Sequence, residues 1–240
     1  TGLGDRTTQV LIGHLPLLLR PGSRSALLIG LGSGMTAAAM LTHPIERLDL
    51  AELSPEVVTA SRYFEPGNGR PLADGRLRLH VQDGRSLLKL GTRRYDAIVS
   101  EPSNPWMSGV ADLFSVEFFR EARSRLNEGG IVVQWVQAYE LSDSTLRLVL
   151  RSFASVFPET ELWMLSRDLV LIGSDHPLTG RGAELERLLA REPVAESLRG
   201  IGISRPTTLL ALHMADDAAV DSLIGGSGPV HADRMPILDY

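Results

Sequence analysis

From residue 25 onward, short apolar runs alternate with stretches in which apolar positions recur every three or four residues. The first pattern suits a strand buried on both faces and the second a helix with one buried face. Their alternation predicts a largely parallel sheet covered on both sides. Strands are expected at 25–29, 47–53, 76–81, 95–100 and 131–136, and helices at 35–41, 54–64, 86–90, 115–126 and 143–157. Ser54-Pro55-Glu56 supplies a cap, a proline at the first helical position and an acid in the first turn, while the Asn127 to Gly130 turn stops the fourth of these helices. Two further strands, 161–165 and 169–172, sit so close around Ser166-Arg167-Asp168 that they must form a hairpin, which makes one of them antiparallel. A helix with a Pro16 kink is expected over 7–19, short Ala- and Leu-rich helices over 178–225, and a final strand over 235–240.

Five β/α repeats closed by a hairpin are the plan of an α/β, class I methyltransferase-like Rossmann fold, a mainly parallel seven-stranded sheet with a terminal antiparallel hairpin. The division expected is an N-terminal helix packed on the core (1–24), a Rossmann-like nucleoside-binding domain (25–176) and a helical extension of the same domain (177–240). The 240 residues are ample for such a core. With no cysteine, disulfide scaffolds, thiolate metal sites and cysteine nucleophiles are excluded. His43, His80, His176 and His213 are scattered without ligand spacing, so no metal site is expected. Lys+Arg 24 against Asp+Glu 29, a net charge of −5 without a long basic run, argues against a nucleic-acid partner. No stretch reaches the roughly 20 apolar residues of a membrane span.

Chemistry concentrates where the strands end. The turn Gly30-Leu31-Gly32-Ser33-Gly34 follows the first strand; such glycines let a ligand approach the backbone and the next helix N-terminus, although they also serve tight packing. Glu52, with Leu53 beside it, ends the second strand about 20 residues on, where an acid can accept from both ribose hydroxyls. Asp83-Gly84 ends the third, placed to accept from an adenine amino group or simply to form an Asx turn. All three fall at the carboxyl edge, where open α/β sheets bind ligands. After the fourth strand, Ser100-Glu101-Pro102-Ser103-Asn104-Pro105-Trp106 sets a carboxylate, a hydroxyl and an amide on a loop stiffened by two prolines, which reads as an active-site loop. Asp96 reads as structural, and Trp135 and Tyr139 as either core or wall of the ligand's tail.

Gln9 to Leu17, the Gly30 to Gly34 turn, Glu52-Leu-Ser-Pro-Glu-Val-Val, Asp83-Gly84 and Tyr95 to Pro105 together resemble the spermidine synthase (aminopropyltransferase) family over about residues 5–175. Glu101-Pro-Ser-Asn-Pro-Trp is closest to the spermidine-synthase-like domains of larger bacterial, membrane-anchored proteins. The ending His231-Ala-Asp-Arg-Met-Pro resembles one common in those homologues and takes no role. The family moves an aminopropyl group from decarboxylated S-adenosylmethionine to a diamine and releases methylthioadenosine. The resemblance assigns Gln9, His14, Gly30, Gly32, Ser33, Gly34, Glu52, Leu53, Asp83, Gly84 and Ser100 to the nucleoside co-substrate, and Glu101 with Ser103 and Asn104 to the chemistry, Glu101 standing where the family has an Asp that helps deprotonate the amine. It also implies a homodimer and, for a longer parent protein that a start without Met suggests, an N-terminal transmembrane region that would hold this domain on the cytoplasmic side.

Three positions depart from the family: Ser33 replaces an Asp that holds the donor's amine, Asn104 an Asp that holds the acceptor, and Thr8 a Tyr. Each loss weakens a polycation site. Intact S-adenosylmethionine therefore becomes the slightly favoured donor, with its own carboxylate or amine as a possible nucleophile in the manner of a cyclotransferase or lyase. The alternatives are aminopropyl transfer to a diamine, methyl transfer, and a nucleoside-sensing domain without turnover.

Overall fold

The computed structural model describes residues 3–102, 109–137, 141–178 and 182–239. Its strands are β1 Ser25–Ile29, β2 Arg47–Glu52, β3 Leu77–Val81, β4 Tyr95–Ser100, β5 Leu126–Gln137, β6 Glu159–Leu165, β7 Asp168–Ser174 and β8 His213–Ala215. They form one eight-stranded sheet in the order β3-β2-β1-β4-β5-β7-β6-β8. Strands β1 to β5 are parallel, and the pairs β5/β7, β6/β7 and β6/β8 antiparallel. This is the expected Rossmann-like methyltransferase plan with one strand more than the seven foreseen. Residues 213–215, inside the stretch read as helical, pair with the outer edge of β6. Three residues are too few for alternation to show in a sequence.

The helices are α1 Leu3–Leu19, α2 Met35–Leu41, α3 Pro55–Ser61, α4 Gly84–Leu90, α5 Val116–Ser124, α6 Asp143–Ala154, α7 Ala183–Leu189, α8 Val194–Arg199, α9 Pro206–Leu210 and α10 Asp217–Ile224. Neighbouring strand residues feed opposite cores, which is why the strands read as unbroken apolar runs. Leu28, Val99 and Val133 pack with α1, α2, α7 and α8. Leu27, Ile98 and Val132 pack with α4, α5, α6 and α10. Ser54 caps its helix as expected, and Asp83, Ser115 and Ser142 do the same for theirs, each accepting from a backbone N–H three residues on, worth about 1 kcal/mol apiece.

Two expectations change. The Asn127 to Gly130 turn is absorbed into β5 as an irregularity, since the register with β4 jumps from Tyr95↔Leu126 to Ala97↔Ile131 and Gly129 takes φ 65°. The segment expected as a last strand instead holds an isolated bridge, Ala232 to Met235, and a 3-10 turn over Ile237–Asp239; Pro236 can donate nothing to a ladder. Asp96 is structural as expected: it accepts from the N–H groups of Arg24 and Ser25 and from Asn127, and pairs with Arg20 at 3.0 Å. Among the described residues no helix is long and apolar enough to cross a membrane.

Candidate active site

A cavity of about 840 Å³ opens at the carboxyl edge of the sheet. Because strand order runs β3-β2-β1-β4-β5-β7 across that edge, its lining divides into two ends. The ends of β1, β2 and β3 supply Gly30, Gly32, Glu52, Leu53, Asp83 and Gly84, with Val110 and Leu113 from the stretch before α5. The end of β4 supplies Glu101, and beyond it lie Trp135 and Gln137 of β5, the Ser166-Arg167-Asp168 hairpin, and Asp5, Thr8 and Gln9 of α1.

The first end is held by backbone. Gly30 has φ +98°, and a Cβ there would stand 2.4 Å from the Glu101 carbonyl oxygen, so the close approach of the chain just past the ends of β1 and β4 requires glycine. Glu52 accepts from the N–H of Leu31 at 3.0 Å and of Ser54 at 2.9 Å, which fixes its carboxylate at the cavity wall. Asp83 is both things the sequence allowed: one oxygen caps α4 through the Ser86 N–H at 2.7 Å, and the residue lines the cavity. Gly84 leaves no room for a side chain, since a Cβ would meet Ile29 at 2.5 Å.

The second end is acidic and poorly satisfied. The Glu101 carboxyl is enclosed by protein while the residue keeps partial exposure through the cavity. Burial pushes it up to about 7, against the neighbouring Thr36 hydroxyl and with the help of the Asp168 charge. Burial likewise raises the Asp168 carboxyl, opposed by the Thr8 hydroxyl and the Trp135 indole. Thr8 Oγ1 lies 3.0 Å from Asp168 Oδ2 and 3.2 Å from the Leu165 carbonyl, so its one proton serves one of them at a time. The Trp135 indole N–H stabilises the Asp168 charge but completes no hydrogen bond of ordinary geometry. Gln137, paired with Asp168 across the β5/β7 ladder, is 1% exposed, and neither atom of its amide has a partner among the described residues. Ser166 starts the tight turn with φ 63°, a region that costs a non-glycine residue energy.

Asp168 and Gln137 are site residues the sequence does not single out: Asp168 falls in the expected turn and Gln137 just past the expected strand 131–136, while Thr8 enters there only as a departure from the family. Trp135 does wall the cavity. Four residues assigned to the nucleoside stand behind the lining. Ser33 is buried and donates to Gln9 Oε1 at 2.6 Å, orienting a residue that does face the cavity. Gly34 packs toward Pro71 and Asn68. Ser100 is fully buried, its hydroxyl without a partner among the described residues. His14 departs furthest: it is fully buried, with Nδ1 2.8 Å from His43 Nε2 and Nε2 2.8 Å from Ser197 Oγ. Burial lowers it to about 3 and, with the His14 and Arg191 neighbours, holds His43 well below the usual histidine range. The pair is a neutral bond between α1, the end of α2 and α8. Ser103, Asn104, Trp106 and Tyr139 lie outside the described residues.

An eight-stranded, mostly parallel sheet with a glycine turn, a strand-end acid and an Asp-capped helix around one cavity defines a Rossmann-like methyltransferase fold. The Spermine/spermidine synthase domain matches residues 6–166, and the chain belongs to that family. It is 29% identical over 155 residues to a polyamine aminopropyltransferase of Moorella thermoacetica, covering 64% of this chain and 54% of that protein. It is 33% identical over 149 residues to putrescine N-methyltransferase 3 of Nicotiana tabacum, covering 61% of this chain and 39% of that protein. The chain thus spans about half or less of the length of these curated relatives. Spermidine synthase from Thermotoga maritima shares the fold with a TM-score of 0.75 at 19% identity, over 92% of this chain and 75% of that one. Human methyltransferase-like protein 13, solved in complex with SAH, does so at 0.57 and 18%, over 82% and 90%.

Proposed function

We propose that the cavity binds an adenosyl sulfonium donor with its nucleoside against Gly30, Glu52 and Asp83, and transfers the donor's three-carbon chain to an amine, releasing methylthioadenosine. The observation that carries the reading is the position of Glu101 between the two ends, with a carboxyl raised to about 7. A free amine titrates near ~10, so the acceptor enters as an ammonium and must lose a proton before its lone pair can attack. Glu101 takes that proton; the nitrogen then bonds to the carbon, and the C–S electrons leave on sulfur as a neutral thioether. A base with a pKa near the working pH suits this step. Asp168 holds the cation in place and, by its charge, keeps Glu101 basic enough to act. The two relatives' names, a polyamine aminopropyltransferase and a putrescine N-methyltransferase, support an amine acceptor.

This reverses the preference drawn from the departures at Ser33, Asn104 and Thr8. Asp5, Glu101 and Asp168 around the tail end would oppose a methionine carboxylate, which favours the decarboxylated donor. The intact donor stays as a second reading because Arg167 lines the same end and offers that carboxylate a guanidinium. Mass spectrometry separates them. The chain is incubated with either donor, with and without putrescine. Methylthioadenosine and an aminopropylated amine, formed only with the decarboxylated donor and the amine together, are the expected products. Methylthioadenosine from S-adenosylmethionine alone would establish the intramolecular route, and S-adenosylhomocysteine would establish methyl transfer. Binding of the nucleoside with no turnover of any combination would leave a sensing domain.

A further inference from the structure

The ending His231-Ala-Asp-Arg-Met-Pro has no part in the cavity, yet its polar atoms reach the elements that form the nucleoside wall. His231 is 1% exposed. Its Nε2 lies 3.0 Å from the Ala111 carbonyl, which can only accept, so the proton sits on Nε2; Nδ1 then accepts from the Leu238 N–H at 3.3 Å. The backbone of the same residue takes the Val116 N–H at 3.0 Å and gives its own N–H to Ser152 Oγ of α6 at 2.8 Å. Every polar group of His231 is thereby committed, and two of its bonds hold 111–116, the stretch whose Leu113 and adjoining Val110 line the cavity.

Asp233 grips the opposite wall. Its carboxylate takes both terminal nitrogens of Arg85 at 2.6 and 3.0 Å, and its N–H donates to Glu117 of α5 at 3.0 Å. Arg85 follows Gly84 directly in the first turn of α4, so the fork anchors the helix whose first residues, Asp83 and Gly84, face the nucleoside end. The guanidinium also holds Glu121 of α5, at 3.1 Å. Forked carboxylate pairs of this kind fix direction as well as distance.

We infer that 231–233 is a clamp whose residues His231 and Asp233 act as positioning residues for the nucleoside: they set the separation of the Val110/Leu113 wall from the Asp83/Gly84 wall without touching the ligand. The inference rests on the proposed nucleoside site. Its chemistry makes a selective claim, since a clamp at that end alters donor binding and leaves the amine end alone.

The test uses the full chain and methylthioadenosine in calorimetric titration. Wild-type binding is the control: if the wild type fails to bind, the nucleoside reading itself fails, and the clamp with it. Given that binding, Asp233→Asn is expected to weaken methylthioadenosine affinity roughly three- to tenfold and to raise donor KM equally, with kcat and acceptor KM unchanged. Asp233→Glu, which keeps a charged partner for Arg85, should recover most of the affinity. His231→Gln, which retains a donor for the Ala111 carbonyl, should lose less than His231→Ala. Asp233 is at the surface, so its variants fold even if His231→Ala does not. A fall in thermal midpoint with methylthioadenosine affinity unchanged in Asp233→Asn would make the segment a structural strap only and overturn the inference, as would equal losses in donor and acceptor KM.

Discussion

The two ends of the cavity are built on opposite plans. At the nucleoside end, polar atoms are committed before any ligand arrives: Glu52 is fixed by two backbone N–H groups and Asp83 by the helix it caps. At the acidic end, the Gln137 amide has no partner among the described residues, Thr8 divides one proton between two acceptors, and burial raises both Glu101 and Asp168. A preorganised end binds the same group each time at little reorganisation cost. An unsatisfied end is held ready for a group that must bring hydrogen bonds and charge with it, and its raised carboxyls are those that can move a proton. On the proposed function, binding and chemistry are thus separated across the sheet, with Glu101 at the junction.

Substitutions can break that division. The largest effect is expected for Glu101→Gln, which keeps the shape and removes the base: turnover should fall about 10²- to 10⁴-fold, with methylthioadenosine affinity within about twofold of wild type. Equal losses in both quantities would place Glu101 in binding and dissolve the contrast. Glu52→Gln should do the reverse, weakening methylthioadenosine binding about tenfold or more through its charge-assisted bonds while kcat changes little. Steady-state kinetics with titration calorimetry on the same samples compares the two.

Asp168→Asn sharpens the acidic end. Acceptor KM should rise about tenfold as one charge facing the ammonium is lost. The pH profile should move as well. Glu101 works as a base only when ionised, so kcat/KM rises with pH through about 7 in the wild type. Removing the Asp168 charge makes ionisation easier, and the midpoint must shift to lower pH. A midpoint that stays or rises would mean that the two carboxylates do not share the site.

The same contrast explains which parts were legible in the sequence. Gly30, Glu52 and Asp83, the proposed nucleoside contacts, each lie at the end of a strand within a short motif, so one pass along the chain locates them. The acidic end is made by register. Asp168 faces Gln137 because β7 inserts between β5 and β6, an order that chain sequence does not carry, and a two-residue turn hides a site residue among turn formers. Gln137 carries one faint signal, an amide closing the largely apolar stretch Ile131 to Val136. The family resemblance assigns His14 together with Gln9, but five residues turn a helix by about 140° relative to the first, so the two side chains point to different neighbours. Here Gly13 lies against Thr36 of α2, and His14 turns to the end of α2 and to α8.

The smallest effect concerns stability, and it separates the acid's burial from its catalytic use. Glu101 is raised from 4.5 to about 7 in the folded chain. Below about pH 4.5 it is protonated whether the chain is folded or not, and its burial involves no charge. As pH rises from there, the unfolded chain releases the proton while the folded chain keeps it, so stability declines until about pH 7 and is then level. The full loss is about 3 to 4 kcal/mol at most. Gln at this position is neutral throughout, so Glu101→Gln should unfold like wild type at pH 4 and be more stable at pH 8. Urea denaturation at the two pH values measures this. A variant equally stable to wild type at pH 8 would mean that the carboxylate is well solvated in the folded chain, and the acidic end would then lose its distinction from the nucleoside end, since a solvated Glu101 would be no better a base than any surface acid.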